Sequence, residues 1–140
     1  MTLITIQTTI DANASAVWQA WTSPEHIMQW NHASDDWHSP AAENDLRVGG
    51  RYHIKMVVPD DTHDVSGVYR EIVPNEKVSF TWAWKSTPER ESLVTVTIKP
   101  DGDGSLMTLQ HEQFFDETAR DNHNKGWTAI MDRFANFVEA

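Results

Sequence analysis

The chain has 140 residues, no cysteine and a formal net charge of −10, from 11 basic and 21 acidic side chains. This length suffices for one hydrophobic core, so we predict a single domain over residues 1–140. The negative charge would repel phosphate groups, which argues against nucleic acid as a partner. The absence of cysteine excludes disulfides and thiolate metal sites, and it fits a reducing cytoplasm. No signal peptide or long apolar run occurs, so we expect a cytoplasmic protein without membrane insertion.

The first thirty residues predict a strand followed by two short helices. LITIQTTI, residues 3–10, is rich in β-branched side chains and roughly alternating, as strands are. Either Asp11 or Asn13 can cap a helix after it. The next helix should begin at Ser23-Pro24, with the serine as cap and the proline in the first turn. The apolar residues of the two helices are Val17, Trp18 and Trp21, then Ile27, Met28 and Trp30. We expect Trp18 and Trp21 to anchor the first helix to a sheet.

The middle of the chain predicts an antiparallel meander. Apolar residues alternate with period two in segments separated by turn sequences rich in Pro, Asp, Asn and Gly. The predicted strands are 51–58, 68–72, 78–84, 94–98 and 106–115. PDGDGS, residues 100–105, superficially resembles a calcium loop but lacks the later glutamate ligand, so we predict a hairpin turn.

The C-terminal segment changes to helical periodicity. Apolar side chains recur at intervals of three and four residues, which predicts a long amphipathic helix. Those residues are His123, Trp127, Ile130, Met131, Phe134, Phe137 and Val138. The element order predicts an α+β fold in which this helix covers the apolar face of the sheet. A gap between them, at the end where the short helices lie, would form a ligand cavity.

The segment between the short helices and the meander, WNHASDDWHSPAAENDLRVGG, admits several interpretations. His26, His32 and His38 suggest a metal site, but their spacing matches no known ligand pattern, and we predict no metal or cofactor. Gly49-Gly50 lies outside any phosphate-binding motif and should instead form a tight bend before a strand, braced by nearby charged side chains. We expect Trp30 and Trp37 to stand at the rim of the cavity.

Two histidines raise the question of catalysis. His111 shares a strand face with apolar residues, and His123 begins the apolar stripe of the last helix, so both could point inward. An inward histidine can act as a general acid or base, yet a buried histidine is more often satisfied by hydrogen bonds. Trp127 follows Gly126, whose missing side chain could let another element approach the helix closely.

Four segments together resemble a known family. VWQAWTSPEHIMQW, DDWHSPAAENDLRVGGRY, GVYREIVPNEKVSFTW and LMTLQHEQFFDETARDNHNKGWTAIMDRF are similar, in order, to segments of the activator of heat-shock-protein-90 ATPase homologue family. That family belongs to the SRPBCC or START-like superfamily, which includes the birch pollen allergen. The resemblance implies the helix-grip fold, a curved antiparallel sheet wrapped around a long C-terminal helix, with an apolar cavity between them. It also implies binding of hydrophobic small molecules or of client proteins.

These observations favour binding of a hydrophobic small molecule, lipid-like or aromatic, in the cavity. The residues that we expect to line it are Trp30, Trp37, Tyr52, Met56, Tyr69, Phe80, Trp82, His111, His123, Trp127 and Met131. Two alternatives stay open: a chaperone-associated interaction protein that uses its acidic surface, and an enzyme that uses an inward histidine. A chaperone or a second copy of the chain is a possible partner. A cavity filled by its own aromatic side chains would leave no room for a ligand.

Overall fold

The computed structural model describes residues 3–32 and 34–139 of the chain, which form seven strands and three helices. In chain order these are β1 (Leu3–Ile10), α1 (Ala14–Thr22), α2 (Pro24–Trp30), β2 (His38–Asn44), β3 (Arg51–Val58), β4 (Asp61–Val73), β5 (Lys77–Trp84), β6 (Ser92–Asp101), β7 (Gly104–Glu112) and α3 (Glu117–Glu139). The strands make one antiparallel sheet in the order β1-β7-β6-β5-β4-β3-β2. The predicted α+β helix-grip fold is confirmed.

The helix starts follow the capping rules in one case and depart from them in the other. Asn13 Oδ1 accepts a hydrogen bond from the Ala16 amide at 2.9 Å, so Asn13 caps α1. Pro24 occupies the first turn of α2, as predicted, but the Ser23 hydroxyl makes no capping bond. It donates instead to the Glu25 carboxylate at 2.7 Å. The side-chain cap predicted for Ser23 is therefore wrong.

Several element boundaries also differ from the predicted ones. β2 was not among the predicted strands, and β4 begins seven residues earlier than its apolar alternation, at Asp61 rather than Val68. β7 ends at Glu112 because Gln113 has a positive φ of 67°, which breaks the ladder before Phe115. The predicted turn sequence PDGDGS forms the β6–β7 hairpin with Asp101 opposite Gly104.

The double glycine bends the chain tightly between β2 and β3. Gly49 has a φ of 86°, and its amide donates to the Tyr69 carbonyl at 2.9 Å. Gly50 has a different constraint, since a Cβ there would overlap the backbone carbonyl of Asp45. Arg47 Nε lies 2.6 Å from Asp45 Oδ2, so the predicted charged brace is present. One glycine thus supplies the backbone conformation and the other the close approach.

Aromatic rings in the core pack the three helices against one another. Trp21 of α1 stacks on Trp30 of α2 with centroids 4.7 Å apart, and Phe134 of α3 meets both rings edge-on. Trp21 is buried and Trp18 is half-buried against the same core. Within the described ranges, no helix has both the length and the apolar character needed to cross a membrane.

Candidate ligand cavity

A large cavity lies between α3 and strands β3 to β5, and we call it the outer groove. Its volume is about 420 Å³. It is lined by Trp37, Met56, His63, Trp82, Trp84, Ser86, Asn122, His123, Gly126, Trp127 and Ile130. Four of these side chains are indoles, Met56 and Ile130 add further apolar surface, and the polar side chains are His63, Ser86, Asn122 and His123. Such a lining favours a ligand with flat, apolar surfaces.

Gly126 gives the outer groove part of its width. It lies in the interior of α3, and a Cβ built on it would have no neighbour within 4 Å. The prediction that another element packs closely against this glycine is therefore wrong. The missing side chain leaves space that belongs to the groove, and any larger side chain at this position would project into it.

Trp37 reaches the outer groove from the loop that joins α2 to β2. The loop is tied to α3 by Arg133, whose guanidinium lies 2.7 Å from Asp35 Oδ1 and donates to His32 Nε2 at 3.0 Å. Burial and the nearby Arg133 charge lower the pKa of His32, which keeps its Nε2 available as an acceptor. Trp37 is half-buried and lines the outer groove.

Trp30 does not stand at the rim. Only 3% of it is exposed, and its indole N–H donates to the Ala20 carbonyl at 2.8 Å. It lines a separate inner cavity of about 30 Å³ near the short helices, which has room for about one water molecule. The predicted residues Tyr52, Tyr69 and Phe80 line that inner cavity as well. This end of the fold is filled largely by the protein's own rings, whereas the outer groove is not.

His111 is completely buried in a network of hydrogen bonds. The Trp127 indole N–H donates to His111 Nδ1 at 2.9 Å, so the proton of the neutral ring is on Nε2. Nε2–H then donates to Ser92 Oγ at 2.7 Å, and the Ser92 hydroxyl donates to the Trp82 carbonyl at 3.2 Å. Burial, with a smaller effect of the neighbouring His123, lowers the pKa of His111 to about 2. His111 is therefore neutral, and both of its nitrogens are engaged.

His123 forms a second satisfied pair at the wall of the outer groove. Its Nε2 accepts from the Trp84 indole N–H at 3.0 Å, and its Nδ1–H donates to the Ala119 carbonyl at 2.7 Å. Burial lowers the pKa of His123, although the bond to Ala119 opposes that effect. The ring thus orients Trp84 and presents carbon atoms rather than a free nitrogen to a ligand.

A third cavity adjoins the outer groove at the Trp84–His123 pair, and we call it the side cavity. Its volume is about 230 Å³. It is lined by Trp82, Trp84, Thr87, Arg90, Ser92, Phe114, Phe115, Asp116, Thr118, Ala119, Asn122 and His123. Sequence reasoning missed this cavity, because its lining combines residues of two irregular loops with residues of β5, β6 and α3, and no single sequence pattern brings these together.

The predicted lining residues are divided among these cavities. The outer groove takes Trp37, Met56, Trp82, His123 and Trp127, and the inner cavity takes Trp30, Tyr52, Tyr69 and Phe80, together with Trp82 and Trp127. Met131 and His111 are packed in the core and line none of the three.

The histidines considered as metal ligands make separate contacts. His26 packs against the Phe137 ring, His32 accepts from Arg133, and His38 is exposed on β2. No group of three histidine, aspartate or glutamate side chains in the described part of the chain is arranged to hold a metal ion.

The chain is similar in sequence to one protein family and in structure to several solved proteins. The protein family described as Activator of Hsp90 ATPase homolog 1-like protein matches residues 11–139. Protein CV1439 from Chromobacterium violaceum is similar in structure, with a TM-score of 0.85 at 22% identity over 100% of this chain and 99% of that one. The AHSA1-like protein from Aeromonas hydrophila gives a TM-score of 0.84 at 28% identity over 98% and 92% of the two chains. DynU16, described as a putative protein in the dynemicin biosynthetic locus, gives 0.81 at 16% identity over 100% of this chain and 48% of that one. No curated protein gives a significant sequence match.

Proposed function

We propose, because the chain belongs to the Activator of Hsp90 ATPase homolog 1-like protein family, that it binds a hydrophobic aromatic small molecule in the outer groove. The observation that carries this proposal is the groove itself, about 420 Å³ of space beside four tryptophan side chains. Ligand sites of proteins commonly have volumes of roughly 300 to 1,000 Å³ and mainly apolar linings. The outer groove meets both conditions.

The hydrogen bonds around the groove support binding rather than acid–base chemistry. A general base needs a free lone pair within reach of the substrate, and a general acid needs a proton that it can release. His111 is fully buried, and its Nδ1 lone pair is already taken by Trp127. His123 Nε2 is likewise taken by Trp84. Binding therefore requires no rearrangement of these pairs, whereas catalysis by either histidine would.

Two matched substitutions of Gly126, one large and one small, test whether the outer groove is the ligand site. Gly126→Leu places an isobutyl group in the groove, whereas Gly126→Ala adds only a methyl group in the same open space. Alanine within a helix is more stable than glycine by about 0.5–1 kcal/mol, so Gly126→Ala should raise the free energy of unfolding. The ligand is N-phenylnaphthylamine, a neutral aromatic dye whose emission rises in apolar surroundings.

We expect the wild type and Gly126→Ala to bind about one dye molecule per chain, and Gly126→Leu to bind it at least about tenfold more weakly. Circular dichroism and urea unfolding would establish that both variants are folded. If the wild type binds no dye, or if Gly126→Leu binds it as well as Gly126→Ala does, the outer groove is not the ligand site.

A chaperone-associated role is the second candidate function. It is favoured by the family whose description names an activator of the Hsp90 ATPase and which matches residues 11–139. The acidic chain, with a formal charge of −10, could bind a basic surface of such a partner. The ATPase rate of a purified Hsp90-type chaperone, measured with and without this protein, tests that role. A rate that does not change, together with no association in sedimentation, would exclude it.

A further inference from the structure

The side cavity adjoins the outer groove. Trp82, Trp84, Asn122 and His123 line both cavities, and the two meet at the Trp84–His123 pair. A molecule that fills the outer groove therefore lies next to the side cavity. What the side cavity adds is polar chemistry, since its lining includes hydroxyl groups, an amide and one guanidinium group.

The guanidinium group belongs to Arg90, on the loop between β5 and β6. Its Cζ atom lies 4.0 Å from the centroid of the Phe115 ring, a cation–π contact between two exposed side chains. Among residues 3–32 and 34–139, its side chain forms neither an ion pair nor a hydrogen bond. All of its N–H donors remain available to a ligand.

One acidic side chain, Asp116, also lines the side cavity. Its Oδ1 accepts the Ala119 amide at 2.8 Å near the start of α3, so part of its charge is stabilised by the helix. Asp116 would nevertheless weaken the binding of an anion beside Arg90, which makes it a useful site for a test.

From these contacts we propose that the ligand is an amphipathic carboxylate, with a flat apolar body in the outer groove and its carboxylate in the side cavity beside Arg90. The inference rests on the proposed function and specifies the class of ligand. A guanidinium group can donate two parallel hydrogen bonds to a carboxylate, and a neutral ligand would use neither. The formal charge of −10 repels anions from the rest of the chain, so any preference for a carboxylate must arise locally.

The experiment compares naphthylbutanoate with its methyl ester, two compounds that share a body and differ in charge. Calorimetry at neutral pH should show the acid binding about tenfold more tightly than the ester, as expected for a charge-assisted hydrogen bond that is partly exposed to water. Arg90→Gln should remove this difference, because it should weaken binding of the acid and leave binding of the ester unchanged. Asp116→Asn, which retains an oxygen that can cap α3, should strengthen binding of the acid and leave binding of the ester unchanged.

Lys99→Gln is the control, because it changes the net charge by the same amount at the end of β6, outside all three cavities. It should leave both affinities unchanged. If acid and ester bind wild type equally, or if Lys99→Gln weakens the acid as much as Arg90→Gln does, the carboxylate inference is wrong while the outer groove remains a ligand site. If neither compound binds and the neutral dye also fails, the proposed function falls and this inference falls with it.

Discussion

The buried His111 should make the protein's stability depend on acid in a way that one substitution can isolate. In the unfolded chain a histidine has a pKa of about 6.5, so it takes up a proton as the pH falls below that value. In the folded protein burial holds the pKa of His111 at about 2, and the ring stays neutral. The stability due to this difference is fully present above pH 6.5 and is lost as the pH falls toward the folded pKa.

The size of the loss at mild acidity depends only on the unfolded chain. At about pH 5 the histidine is protonated in the unfolded chain and neutral in the folded protein. This pH lies about 1.5 units below the unfolded pKa, which corresponds to a loss of about 2 kcal/mol in the free energy of unfolding. The folded value of about 2 lies far below this pH, so it does not enter the result. Other groups also titrate in this range, and the histidine must therefore be compared with a side chain that does not.

His111→Gln provides that comparison, because a glutamine amide can accept from Trp127 and donate to Ser92 without titrating. Urea unfolding followed by circular dichroism would be measured at about pH 7.5 and about pH 5, the range over which the calculation applies. The wild type should lose about 2 kcal/mol more than the variant between these conditions. Equal losses would refute the claim that His111 is held neutral by the fold.

Three further predictions concern the Gly49-Gly50 bend, the contact of Arg133 with the α2–β2 loop, and the hydrogen bond from Trp127 to His111. Gly50→Ala should lower the urea midpoint of unfolding more than Gly49→Ala does. A Cβ at residue 50 would overlap a backbone carbonyl, whereas a Cβ at residue 49 has open space and adds only a backbone strain of about 1 kcal/mol from the positive φ. A larger loss for Gly49→Ala would contradict this explanation. Arg133→Gln should accelerate hydrogen exchange in the α2–β2 loop, which it ties to α3, and unchanged exchange would show that the tether is unimportant. Trp127→Phe keeps a ring but leaves the buried Nδ1 of His111 without a donor, so the free energy of unfolding should fall by about 1–3 kcal/mol in urea titration, and no fall would mean that the bond contributes little.

The sequence allowed the architecture to be predicted because alternation and helical periodicity are local. β2 was missed because HSPAAEN contains no β-branched residue, and its exposed edge position requires no apolar alternation. The sequence did not indicate the start of α3 for a similar reason, since its first turns from Glu117 are polar and its apolar stripe begins only at His123. The family resemblance, confirmed by the match over residues 11–139, supplied the topology that periodicity could not.

The cavities could be predicted in part. Trp37 lines the outer groove, whereas Trp30, at a similar position in the sequence, is buried against Trp21. Nothing in the sequence distinguishes these two indoles, because the difference depends on where α2 crosses α1. The role of Gly126 depends in the same way on the distance between α3 and the sheet. Arg90 was overlooked because its loop has no periodic pattern.

The pairing of β1 with β7 has a consequence for how the protein forms during synthesis. Leu3 lies opposite Glu112, so nearly the whole chain must be made before the first strand can find its partner. The hairpins from β3 to β7 connect neighbours in sequence and can form as they emerge, since closing a short loop costs less entropy than closing a long one. Until β7 and then α3 leave the ribosome, β1 and the tryptophan-bearing α1 lack their final contacts. This protein should therefore complete its fold late, and its N-terminal apolar residues are the ones that a chaperone would meet first.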